Sequence, residues 1–179
     1  MYVRWDIASL ATLSILRWDA AVQGRVPDEL RAELAIAMAQ RTYKAYRELL
    51  RSPRWQRIYN SGGRPQRVLW DLTGPKDSKA TDLTYTTALT AQFTVMAMTK
   101  STLQALASRG EITTLLRADG GPCEETLARF RAAGIDLYAV ARQLREEGLS
   151  AAVSSWTDLM AAIESKVATR SADAHGQKA

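Results

Sequence analysis

Three short apolar segments, separated by long connections, have the pattern of buried strands. They are Ile7–Leu16, Arg67–Leu72 and Thr94–Met98. Continuous apolar runs that contain β-branched residues and end at turn signals are typical of strands covered on both faces in a parallel sheet. The hydrophobic pattern therefore predicts a small parallel sheet whose strands are far apart in sequence.

Apolar residues at helical spacing occupy most of the connections. Pro27 and Asp28 open a helix whose apolar stripe continues to about Arg51, because proline and acidic residues suit a helix start. Serine, threonine and glycine at the boundaries predict shorter helices afterwards. These cover Ser52 to Gly62-Gly63, the region near Leu83–Leu89, and Lys100–Ser108 with Thr99 as its cap.

The last third of the chain predicts three further helices. They are Glu124–Ala133, ending at Gly134, then Leu137–Glu147, ending at Gly148, and finally Ser150–Thr169. Residues 170–179 are small and polar, which predicts a disordered tail after a single domain that spans residues 1–169.

Strands that alternate with helices predict an α/β fold built from parallel β/α units and helix-rich by residue count. A closed (β/α)8 barrel needs eight strands and about 250 residues. Three strands can therefore supply only part of such a barrel.

Composition narrows the class of protein. Hydrophobic residues make up 46% and charged residues 24% of 179, which is ordinary for a soluble globular protein. The formal charge of +5 favours anionic partners weakly. No basic run interleaved with aromatic residues is present, so we do not expect nucleic-acid binding, although scattered arginines leave a DNA-binding module as a minor alternative.

The cysteine content and the length of the apolar runs predict the cellular location. Cys123 is the single cysteine and cannot form an internal disulfide, which predicts a reducing compartment, the cytoplasm. No apolar run reaches the roughly 18 to 20 residues of a membrane span. Ile7–Leu16 could also be a short signal segment after Arg4, but its length and charged flank favour a strand.

Several motifs in order resemble the transaldolase family. A helix with the ending Thr-Tyr-Lys-Ala-Tyr46 precedes Pro-Gln-Arg-Val-Leu-Trp70, and a loop with Lys76-Asp77 follows that strand. Met98-Thr-Lys-Ser-Thr-Leu103 and the segment from Ala133 to Leu159 resemble later parts of the family pattern. The resemblance extends over about residues 11 to 166. It implies the last three β/α units of a (β/α)8 barrel, with Ala11–Val22 as the sixth strand and its loop.

The resemblance also implies a chemistry. Transaldolases move a dihydroxyacetone unit between sugar phosphates in the pentose phosphate pathway, through a Schiff base on a lysine of the fourth strand. No position of this chain matches that lysine or the family's proton-transferring acids, so we expect no catalytic residue here, no cofactor and no metal. The lysines present are interpreted as solvated surface residues: Lys44, Lys76, Lys79, Lys100, Lys166 and Lys178.

The phosphate end of the family site does fall within this chain. Arg17 matches an arginine at the end of the sixth strand, and its alternative role is an ion pair with Asp19. The family's phosphate-binding serine is replaced by Leu72, after Asp71, which would repel phosphate. Thr73 and Lys76 are the remaining candidates for phosphate contacts.

Two main hypotheses follow, an enzyme part and a non-catalytic protein. In the first, the chain is inactive alone and binds a missing N-terminal half, or associates with itself, to handle a sugar phosphate. In the second, it is a relic or a repurposed binding protein. A sheet with open edges needs a partner in either case.

Overall fold

The computed structural model describes residues 10–30, 32–73, 83–112 and 114–176, with the side chains of the last helix described to residue 168. The chain divides into two compact units, residues 1–136 and residues 137–179. Helices hold far more of the described residues than strands do.

A parallel sheet forms the centre of the first unit. Strands β1 (Leu10–Ser14), β2 (Arg67–Asp71) and β3 (Thr94–Ala97) lie in the order β1-β2-β3. Trp70 pairs with Leu13 on one side and with Met96 on the other. The expectation of an α/β fold with parallel strands is confirmed.

Strand β1 is less buried than its apolar sequence predicted. Leu10 is 42% exposed, and Ala11 and Thr12 are also exposed, whereas Val68 and Trp70 of β2 are buried. The reason is position: within the described residues β1 pairs only with β2, so it is an edge strand. Residues 7–9 of the predicted segment lie outside the described residues.

The first helix lies where the sequence predicted the end of a strand and a loop. Ile15 and Leu16, predicted as strand, belong to helix α1 (Ile15–Val22). Ile15, Trp18 and Val22 are its buried residues. Their spacing of three and four places all three on one helical face, which an extended strand could not do.

The second helix begins later than predicted. Pro27 does not start it: a short 3-10 helix spans Asp28–Leu30, and helix α2 covers Leu34–Arg51. Ala32 lies between them with a φ of 61°, a left-handed conformation that interrupts helical backbone. The buried face of α2 includes Leu34, Ala35, Ala37, Ala39, Tyr43 and Tyr46.

Three short helices agree closely with their sequence signals. Helix α3 (Pro53–Asn60) is capped by the Ser52 side chain, which accepts a 3.2 Å bond from the Trp55 amide. Helix α4 covers Leu83–Ala88. Helix α5 (Lys100–Arg109) begins at the predicted Thr99 cap.

Helix α6 (Cys123–Ala132) packs against α2. Leu127 and Phe130 are fully buried. Two exposed ion pairs flank this contact, Arg41 to Glu124 and Arg129 to Glu33, each at 3.1 Å. Gly134, with a φ of 81°, ends the helix as predicted.

The second unit is one continuous helix, α7 (Leu137–Gly176), where the sequence predicted two. Gly148 lies inside it and has no positive φ. A helix-interior glycine costs only about 1 kcal/mol relative to alanine, which the strong helix formers around it offset. The backbone of α7 continues into the segment expected to be a disordered tail.

Candidate ligand site at the strand ends

The carboxyl ends of β1 and β2 bring two polar residues together. Ser14 and Asp71 are partners in the parallel register, and the Ser14 hydroxyl donates to Oδ2 of Asp71 at 3.2 Å. Ligands of parallel β/α folds bind outside the carboxyl ends of the strands. A ligand-binding site is therefore expected at this edge of the sheet.

Thr73 is bound to the same carboxylate. Its amide donates to Oδ1 of Asp71 at 2.9 Å, and its hydroxyl donates to that oxygen as well. Both donors of Thr73 that could serve a phosphate are thus directed at Asp71. The sequence identified Thr73 and Asp71 separately but not this bond between them.

Arg17 lies in the first turn of α1, three residues beyond the end of β1, and is half-buried. It takes part in an interaction within the chain. Lys76, the third candidate, lies outside the described residues. The structure therefore joins Thr73 to Ser14 through Asp71 and places Arg17 just after the neighbouring strand.

Leu72, which the family resemblance matches to a serine, is 8% exposed. Its amide donates to the carbonyl of Ala97 at 2.9 Å, which extends the ladder between β2 and β3. A buried leucine adds no hydrogen-bond donor to the strand ends. At these strand ends the Asp71 carboxylate therefore repels an anion, and Leu72 supplies no donor to offset that repulsion.

Asp19, the residue considered as a partner for Arg17, joins three helices. It accepts bonds from the Tyr85 hydroxyl at 2.7 Å and from the Ala35 amide at 3.2 Å. Burial raises the pKa of this carboxyl, and the bonds from Tyr85 and Ala35 offset part of that rise. No local signal in the sequence indicated this contact, because Tyr85 is far along the chain.

The lysines that the structure describes all lie on helices. Lys44 is on α2, Lys100 begins α5 and Lys166 is on α7. Within residues 10–30, 32–73, 83–112 and 114–176, no strand carries a lysine. Side chains at the ends of barrel strands perform the chemistry in such folds. Of these three lysines only Lys100 lies near a strand end, three residues beyond β3, and its side chain is exposed.

The Cys123 thiol and the metal-ligating side chains are the remaining reactive groups among the described residues. Cys123 is 1% exposed at the start of α6, and burial, followed by the charge of Glu124, raises the pKa of its thiol. A buried thiol with a raised pKa is a poor nucleophile. Among the described residues no three histidine, cysteine or acidic side chains group together as a metal site.

The helices of the described chain do not include one that is both long and apolar enough to cross a membrane.

A cavity of about 250 Å³ opens at the opposite end of the sheet. Phe93, just before β3, lines the cavity and has a φ of 63°. The centroid of its ring lies 5.3 Å from Cζ of Arg47. Because this is the amino end of the strands, the cavity is separate from the candidate site. Its other lining residues are Leu50, Arg51, Trp55, Gln56, Tyr59 and Pro65.

Comparison with known proteins shows which family the chain belongs to. The sequence profile of the family described as transaldolase/fructose-6-phosphate aldolase matches residues 6–163. Curated proteins named transaldolase are similar over most of the chain. The protein from Acidothermus cellulolyticus is 36% identical over 88% of this chain and 44% of its own length.

Two further relatives give the same result. The transaldolase of Parafrankia sp. is 32% identical, and that of Mycolicibacterium smegmatis is 35% identical, each over 90% of this chain and 46% of the relative. The chain thus spans about half the length of the curated relatives that it matches. On this evidence, the chain belongs to the transaldolase/fructose-6-phosphate aldolase family.

Proposed function

We propose that this chain forms the C-terminal part of a transaldolase site and that it takes part in dihydroxyacetone transfer between sugar phosphates only together with an N-terminal half. That half supplies the first five β/α units and the lysine. The chain contributes the sixth to eighth units of the barrel and the phosphate end of the site. Alone, it is inactive.

The observation that carries this proposal is the absence of an amine from the described strands. Schiff-base chemistry needs a lysine whose ammonium is destabilised by burial or by a neighbouring cation, so that a neutral amine can attack the carbonyl. Lys44, Lys100 and Lys166 lie on helices instead. The proposal therefore assigns the reactive amine to residues outside the described part of the chain.

The sheet edges supply the second argument. In the described chain β2 is the central strand, and β1 and β3 each have one hydrogen-bonded neighbour. An uncovered parallel strand with exposed Leu10 is an unfavourable surface in water. Strands added beside β1 and β3 would pair both edges and close the barrel.

The direct test is reconstitution. The chain is expressed alone and together with the N-terminal half of the Acidothermus cellulolyticus transaldolase, and three-carbon transfer between phosphorylated sugars is measured. We expect activity only in the co-expressed complex. Borohydride reduction with a ketose phosphate should trap an adduct on the lysine of the added half.

Two controls make the result decisive. Replacing the trapped lysine of the added half with alanine should abolish activity without dissociating the complex. Activity of the chain alone, or an adduct on Lys44, Lys100 or Lys166, would contradict the proposal. So would failure of several related halves to form any complex.

A non-catalytic role is the alternative, and the Asp71–Thr73 contact favours it. Two donors of Thr73 are held by a carboxylate, and phosphate binding would have to break these bonds. Under this alternative a complex forms but stays inactive and does not bind a ketose phosphate in calorimetry. The same reconstitution therefore separates the two functions.

A further inference from the structure

An uninterrupted apolar seam runs along α7. We use the name α7 seam for six residues spaced by four and three in alternation: Leu149, Val153, Trp156, Met160, Ile163 and Val167. Their exposure ranges from 39% for Met160 to 68% for Leu149. A line of six large apolar side chains on an exposed helix face is typical of an interaction surface.

The spacing identifies the kind of surface that would cover the seam. Alternation of three and four is a seven-residue repeat, and it keeps apolar residues on one line when two helices wind around each other. In heptad terms Val153, Met160 and Val167 occupy position a, and the other three occupy position d. Such a seam fits another helix better than a sheet or a flat surface.

A second copy of α7 in antiparallel orientation fits the seam in size. Centred between Trp156 and Met160, the pairing sets Trp156 against Met160 of the second copy and Val153 against Ile163 of the second copy. Leu149 then meets Val167 of the second copy. A parallel pair would instead place two Trp156 indoles in one layer, where their volume would crowd the seam.

The flanking residues are compatible with this orientation. Positions e and g meet their own kind across an antiparallel pair, which sets Ser150 near Glu164 and Ala152 near Lys166, and Thr157 and Leu159 each near their own copies. No like charges meet, so no repulsion opposes the contact. Leu159, 51% exposed, widens the apolar contact.

The surface is also large enough for weak but specific association. The seam covers about 27 Å of helix at 1.5 Å per residue. Its exposed side chains amount to several hundred Å², approaching the roughly 800 Å² per partner of a standard interface. We propose that two copies of this chain associate through their α7 seams as an antiparallel helical pair. This inference does not depend on the proposed enzymatic function.

Sedimentation of the full chain over a dilution series tests the association. We expect a reversible dimer, and we expect Ile163→Lys to raise its dissociation constant about 100-fold, because each copy loses a buried isoleucine and gains a buried charge. Ala161→Lys, on the outer face of the same helix, should leave it unchanged. A monomer at all concentrations, or equal effects of both variants, would overturn the proposal.

Cross-linking tests the orientation. In a Cys123→Ala background, a mixture of Val153→Cys and Ile163→Cys chains should form a disulfide between different chains, while neither variant alone should do so. Cross-linking of each variant with itself would show a parallel pair and overturn the antiparallel geometry. Dimerisation that persists in Ile163→Lys would show that another surface is responsible.

Discussion

The hydroxyl of Tyr85 donates a 2.7 Å hydrogen bond to Oδ2 of Asp19, so helix α4 is bound to the carboxylate that also accepts the Ala35 amide at the start of α2. Three elements far apart in sequence thus meet at one half-buried side chain. Trp18, the residue before Asp19 in α1, belongs to the core, and loss of the contact should destabilise the first unit.

Tyr85→Phe should lower the free energy of unfolding by about 1–3 kcal/mol, because the variant leaves a partly buried carboxylate short of one donor. Urea denaturation at a fixed protein concentration measures this change. Tyr59→Phe, at a 57% exposed position, is the matched control and should change stability by less than about 0.5 kcal/mol. Equal effects of the two variants would show that the Tyr85–Asp19 bond contributes nothing.

Asp19 should give stability a recognisable pH dependence. Its pKa is raised above 3.8 in the folded chain, chiefly by burial, so the folded state binds the proton more tightly than the unfolded state. Protonation of Asp19 therefore contributes its full stabilisation of the folded state below pH 3.8. This stabilisation is lost as pH rises through the raised pKa. Urea denaturation between pH 7 and 4 should show Asp19→Asn losing stability relative to wild type as pH falls. A constant difference would contradict the shift.

Ala32→Gly should stabilise the chain by about 0.5–1 kcal/mol. The φ of 61° at Ala32 strains any residue with a Cβ, whereas glycine adopts it freely. Ala45→Gly, at an exposed position inside α2, should instead destabilise by about 1 kcal/mol. Opposite signs in thermal or urea unfolding are the expected result, and a loss of stability at both positions would refute the strain argument.

Asp71→Ala combined with Leu72→Ser should improve phosphate recognition in the reconstituted complex. The change removes a repelling carboxylate, releases both donors of Thr73 and adds a hydroxyl. We expect at least tenfold tighter binding of a ketose phosphate in calorimetry. Ser14→Ala removes only the bond to Oδ2 and should have little effect. Unchanged binding in the double variant would place the phosphate elsewhere.

Cys123 should resist thiol reagents while the chain is folded. The side chain is 1% exposed, and burial raises the pKa of its thiol. We expect slow alkylation by iodoacetamide in buffer and rapid alkylation in urea, followed by mass spectrometry. Rapid reaction of the native chain would mean that the start of α6 opens readily.

The sequence predicted best those elements whose start or end is marked by a residue with a strong local preference. Ser52-Pro53, Thr99 and Gly134 each act on adjacent backbone through a cap, a fixed φ or a positive φ, and the structure follows them. Family motifs identified the family for a similar reason, because several short patterns occur in one order.

The errors arose where distant contacts decide the local structure. Ile15 and Leu16 are apolar in either a strand or a helix, and only the packing of Ile15, Trp18 and Val22 makes them helical. Gly148 is a helix end by propensity, but its neighbours continue the helix. At the candidate site the sequence located Asp71 and Thr73, yet it could not show that the carboxylate holds the threonine's donors.

The parallel register has a consequence for the order in which the molecule assembles. Ser14 and Asp71 are 57 positions apart, so closing β1 onto β2 carries a large loop-closure cost, whereas each helix forms from near neighbours. The helices should therefore form early and the sheet late. A partner strand that adds beside β1 would then meet its template only at the final stage of folding, when the chain has few conformations left to lose.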